Sequence, residues 1–169
     1  MASSIREKKA ADPEKVRLRM ADLCARSEQC EHDIMQKLIR AGLSPLQRDD
    51  IMTFLKKERF IDNARYARAY TSDKCRFSAW GPYKIRAALS AKRISPQDIR
   101  SALSSIDEEE WMETASRACH SKGSKMELNG EDGKENRVKL YRFMINRGFE
   151  SAVAVKSIRK LAESQKNSL

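Results

Sequence analysis

Apolar side chains return every three or four residues from near the start of the chain. Val16, Met20 and Leu23 fall on one helical face, Ile34 and Leu38 run on toward Gly42, and Ile51, Phe54 and Leu55 form a third stripe. Turn chemistry separates the stripes. Gly42 can take the left-handed conformation that closes a helix. Ser44-Pro45-Leu46-Gln47 then offers an N-cap hydroxyl, a proline whose missing N–H costs nothing in a first turn, and a glutamine placed to complete a capping box. The pattern predicts three helices over residues 12–61.

The same punctuation returns. Ser95-Pro96-Gln97-Asp98 repeats the cap 51 residues on, and that offset carries Ile34, Leu38 and Leu43 onto Ile85, Leu89 and Ile94. It also carries Met52 and Leu55 onto Leu103 and Ile106; a further 55 residues lead to Leu140, Met144, Phe149, Ile158 and Leu161. Gly42 returns as Gly148 at the equivalent helix end, but Arg93 stands there in the middle copy. Because a non-glycine residue in the left-handed region costs roughly 1 kcal/mol, the middle turn is expected to differ in shape. Each copy also has a preceding helix: Asp62 is placed to cap one carrying Tyr66, Ala67 and Tyr70, and Asp107 another beginning Glu108-Glu109-Glu110. Units that cannot bury their faces alone stack into arrays at such periods. The reading is all-α: a disordered lead-in over 1–11, and three tandem three-helix repeats over 12–61, 62–106 and 107–169. A mobile loop rich in Gly, Asn, Lys and Glu is expected over 121–135 of the third.

Composition narrows the function classes. No stretch approaches the roughly 18 apolar residues of a membrane span, and the first residues carry no apolar run of the secretory kind. The four cysteines contain no Cys-x-x-Cys pair, and His32 and His120 are far apart, so neither a metal site nor a cofactor is expected. The thiols read as small core residues of a cytoplasmic protein. Catalytic arrangements are equally thin. His32 sits between Glu31 and Asp33 on a charged face, and Cys119 and His120, adjacent on a helix, point about 100° apart. Gly130-x-x-Gly133-Lys134 lacks the following hydroxyl and the preceding strand of a phosphate loop. No enzyme is expected. Nor does the turn at Gly42 fit a DNA-reading helix–turn–helix, since Leu38 is too large, Arg48 is not apolar, and Asp49 and Asp50 would repel phosphates.

Charge changes the picture more. The chain carries a net charge of +10, and residues 62–106 supply most of it, with nine Lys and Arg against three Asp and no Glu. A polyanion or an acidic protein groove is the natural partner. Candidate contacts are Arg65, Arg68, Lys74, Arg76, Lys84, Arg86, Lys92 and Arg93, with Arg86, Ser90 and Arg93 at i, i+4 and i+7 of one helix. Trp80 and Tyr83, at helix starts, read as core anchors before partner contacts.

Several stretches together resemble the RecX regulators of the bacterial recombinase RecA. They are Leu23-Cys24-Ala25-Arg26-Ser27-Glu28, Lys37-Leu38 with Gly42, Phe60-Ile61-Asp62-Asn63-Ala64-Arg65-Tyr66-Ala67, Trp80-Gly81, Lys84-Ile85 with Leu89, and Arg147-Gly148-Phe149. The similarity runs over roughly residues 15–163, and the middle segment is its most specific part. Asn63 departs from the family's usual Asp-Asp pair and Arg93 from a common glycine. The resemblance implies three tandem repeats forming a curved elongated rod. Such a rod would be a monomer lying in the groove of the recombinase filament on DNA, in contact with DNA phosphates, single-stranded DNA within the filament included. It would inhibit strand exchange and ATP hydrolysis by blocking growth or promoting disassembly. The alternative from residues alone is a non-specific single-stranded nucleic-acid-binding helical protein.

Overall fold

A computed structural model of the chain describes residues 11–167, where nine α-helices and no strand are found. The expected lead-in over 1–11 lies almost wholly outside the described residues. The helices fall into two compact units.

The first unit holds α1 (Pro13–Arg26), α2 (Glu31–Arg40), α3 (Pro45–Lys57), the opening residues of α4 (Asn63–Ser78), and residues 92–94. Its helix starts follow from the sequence. The Asp12 carboxylate accepts from the Glu14 N–H at 3.0 Å, and Ser44 with Gln47 completes a reciprocal capping box. Ile34, Leu38 and Leu55 are fully buried, surrounded by Val16, Met20, Cys24, Leu43, Ile51 and Met52. On α1 the buried stripe passes through Cys24, and Leu23 is half-buried beside it.

The second unit holds the rest of α4, α5 (Pro82–Ala91), α6 (Pro96–Leu103), α7 (Glu108–Gly123), α8 (Gly133–Asn146) and α9 (Ser151–Lys166). Ser95 accepts from the Asp98 N–H at 3.1 Å, and Asp107 from the Glu110 N–H at 2.7 Å. The last helix start differs: Glu150 occupies the N-cap with no side-chain hydrogen bond. Around Leu140, Met144 and Ala154 a second core collects Ala115, Cys119, Leu128 and Phe149.

The periodicity read from the sequence reappears as burial. Ile34, Ile85 and Leu140 are fully buried, as are Leu38, Leu89 and Met144, and Leu43, Ile94 and Phe149 are nearly so. Gly42, Arg93 and Gly148 have φ of 78°, 59° and 88°. The expectation that the middle turn would change shape therefore fails, because Arg93 itself adopts the left-handed conformation. The first helices add a column that the apolar pattern did not disclose. Cys24, Cys75 and Cys119 are each buried, spaced by 51 and then 44 residues, with Met20, Thr71 and Ala115 buried one turn earlier.

The segment expected as a loop over 121–135 is shorter and better anchored. Residues 121–123 complete α7, residues 133–135 begin α8, and Leu128 between them is fully buried. Its backbone carbonyl accepts from the Arg137 guanidinium, and its N–H donates to Gln165 at 3.3 Å. One apolar side chain in a polar stretch, with partners 9 and 37 residues away, fixes the connection.

Within the second unit the α8–α9 turn lies directly on the start of α5. Gly81 donates its N–H to the Arg147 carbonyl at 2.7 Å, and Tyr83 to the Gly148 carbonyl at 3.0 Å. A Cβ on Gly81 would meet the Gly148 oxygen at 2.4 Å, and one on Gly148 would meet the Lys84 nitrogen at 2.3 Å. Only glycine fits on either side.

Candidate nucleic-acid and partner interface

Three of the eight candidate cations are neutralised by carboxylates remote in sequence. In the first unit the Arg65 Nε donates to Glu28 at 2.6 Å, and its guanidinium also donates to the carbonyls of Arg59 and Phe60. That ties down a helix end at which Arg59 holds a φ of 56°. Lys92 donates to Asp33 at 2.5 Å and stands 5.9 Å from the centre of the Tyr66 ring. Burial pushes the Tyr66 phenol up to about 12 against the pull of the Lys92 ammonium, so it stays neutral. Burial opposes the charge on Lys92, yet the Asp33 hydrogen bond and the neighbouring groups raise its pKa on balance. In the second unit Arg76 pairs with Glu110 at 3.2 Å. Such half-exposed pairs add little stability, but they reduce the charge left for a partner.

Two lysines of the second unit bracket an aromatic ring. The ammonium groups of Lys74 and Lys84 lie 5.1 and 4.6 Å from the centre of Trp80, and Lys84 also donates to the Asn146 carbonyl at 3.3 Å. Trp80 is half-buried beneath them. Tyr83, expected as a core anchor, is 54% exposed instead. Its backbone N–H is bound to Gly148, which fixes the helix start while the ring points outward.

Arg68 and Arg86 in the second unit and Arg93 in the first are exposed and make no ion pair among the described residues. Arg93 is not part of a helical face with Arg86, because α5 ends at Ala91 and Arg93 occupies the left-handed turn beyond it. One residue escaped the sequence reading altogether. Phe77, in the last turn of α4 beside the Arg76 that follows Lys74 and Cys75, is 85% exposed. Its signal was present, since an aromatic side chain lies directly beside a cation there, but no periodicity argument assigns it to the core.

Among the described residues no group of His, Cys, Asp and Glu could hold a metal ion, and no helix is long and apolar enough to cross a membrane. Fold and surface together define an all-helical protein of serial three-helix segments with exposed cations and aromatics. The comparisons make this specific. Residues 62–103, the span of α4 to α6, match the family model described as RecX, second three-helix domain. Over 124 residues the chain is 31% identical to the Regulatory protein RecX of Clostridium botulinum strain Eklund 17B, covering 73% of this chain and 58% of that protein. Over 135 residues it is 26% identical to its counterpart from Clostridium perfringens strain 13, covering 80% and 63%. A crystal structure of regulatory protein RecX matches with a TM-score of 0.72 at 26% identity, over 83% of this chain and 68% of that one. RecX from Lactobacillus salivarius shares the fold with a TM-score of 0.73 at 17% identity, over 88% and 96%. The chain belongs to the RecX family. It spans about three fifths of the length of the curated relatives it matches.

Proposed function

We infer that this chain is a regulatory protein that binds the RecA recombinase filament on DNA and lowers its strand exchange and ATP hydrolysis. Lying in the filament groove, it would block growth or promote disassembly. The reading rests on the family resemblance and, in the structure, on one observation: Arg68, Arg86 and Arg93 stand exposed without a carboxylate partner. Arginine suits planar contacts to carboxylate or phosphate, so each can face acidic filament surface or a DNA backbone. No step of this mechanism asks the protein for a catalytic group or a cofactor.

Charge reversal at two of these positions, Arg86→Glu with Arg93→Glu, is expected to reduce inhibition of recombinase ATPase by about tenfold or more. Helical circular dichroism should be unchanged, because both side chains are exposed. Full inhibition by the folded double variant would remove these arginines from the mechanism. A second reading, direct binding of single-stranded nucleic acid with inhibition by competition, is favoured by Phe77, since a ring this exposed can serve as a stacking platform for a base. Order of addition separates the two: a competitor fails against preformed filaments, whereas a groove binder still acts on them.

A further inference from the structure

The pair α8–α9 carries a surface that its sister helices lack. Between them, within the second unit, runs a groove of about 570 Å3 whose floor is Val138, Tyr141, Val155, Ile158 and Ala162. Val138 and Val155 are 43% and 55% exposed, so each leaves aliphatic surface in water that burial would stabilise. The internal repetition provides a control for what the fold itself demands. In the register that aligns Ile34, Ile85 and Leu140, Val138 corresponds to His32 and Tyr83, and Val155 to Asp49 and Arg100. The fold accepts a charge of either sign where this groove has Val155, so its apolar character is not a packing requirement.

The rim differs in the same register. Lys134 and Arg137 line the groove where the first copy has Glu28 and Glu31. Lys166 and Arg159 extend the positive edge, and the one lining carboxylate, Glu163, stands 3.8 Å from Arg159. A largely apolar floor inside a cationic rim does not suit a nucleic-acid strand, whose phosphates would find no cation on the floor. It suits an apolar helix face bordered by carboxylates.

We propose that the α8–α9 groove is the docking site for an amphipathic helix of a protein partner, with an aliphatic stripe seated on Val138 and Val155 and acidic residues along its flanks. The site shares no residue with the arginines assigned to filament inhibition.

The test uses the full chain and a fluorescein-labelled synthetic helix with leucines at i, i+3, i+4 and i+7 and glutamates on both flanks, read by anisotropy. The glutamate-flanked helix should bind at least about tenfold more tightly than a lysine-flanked sibling. Val138→Ser with Val155→Ser should weaken binding by about tenfold with helical circular dichroism retained, since both residues are already half in water. Lys134→Glu with Lys166→Glu should erase the preference for glutamates, and Arg86→Glu with Arg93→Glu should leave binding unchanged, which separates this groove from the arginines assigned to inhibition. No binding, equal binding of the two peptides, or indifference to the valine substitutions would overturn the proposal. So would self-association of the chain abolished by Val155→Ser, because the occupant would then be a second copy.

Discussion

Arg93 holds a φ of 59° where the equivalent turns use Gly42 and Gly148. An L-residue there pays roughly 1 kcal/mol, partly offset by the lower chain entropy it brings to the unfolded state. Arg93→Gly is expected to stabilise the fold by up to about 1 kcal/mol, seen as a higher melting temperature, because the turn geometry already exists and no buried contact is lost. An unchanged or lower melting temperature would show that Arg93 makes a stabilising interaction in solution. Asn63, the departure from the family's acidic pair, has a physical reason. Its carbonyl accepts from the Glu31 N–H at 3.0 Å while its amide donates to the Glu31 carboxylate at 3.2 Å. A second carboxylate could only repel the Glu31 side chain. At this scale the sequence disclosed which residues are charged but not which are paired, because Arg65, Arg76 and Lys92 find carboxylates 37, 34 and 59 residues away.

Helix starts were the most legible elements. Ser44, Asp62, Ser95 and Asp107 each accept a backbone hydrogen bond at the position their spacing predicted, and Asp12 adds a cap of the same kind. Tertiary contacts set by backbone proximity were not legible. Gly81 looks like a residue before a helix, and nothing local reveals that the Gly148 carbonyl carbon would lie 2.5 Å from its Cβ position. Gly148→Ala combines that crowding with a φ of 88° and should destabilise the protein by about 3 kcal/mol or more. A urea titration monitored by circular dichroism measures it; a loss under about 1 kcal/mol would mean that the turn can move off α5. The anchoring of the connection from α7 to α8 is illegible for a related reason, since Leu128 alone carries no periodicity and its burial comes from neighbours elsewhere.

Across the whole molecule the threefold recurrence was readable because core positions are constrained by both helical period and turn spacing, which together leave few alternatives. The basic balance of the middle segment was equally plain. Its effective charge is lower than its composition suggests, because Glu28, Asp33 and Glu110, all outside it, pair with three of its cations. With three of the eight candidate cations held by carboxylates, retention on single-stranded DNA should weaken by about tenfold or more between about 50 and 200 mM salt. Salt-independent retention would argue for stacking on Phe77 and Tyr83 over phosphate contact.

The cysteine column has a practical consequence. Cys24, Cys75 and Cys119 occupy one station on the first helix of successive three-helix segments, and burial raises the pKa of each thiol, that of Cys119 to about 11. Each is thereby shielded from alkylation until its own helix lifts away. The order in which these sulfurs take up a thiol-specific tag under mild denaturation would report which part of the chain opens first, with no cysteine added to the sequence. Cys30, buried at the start of α2, supplies an additional marker for the first segment.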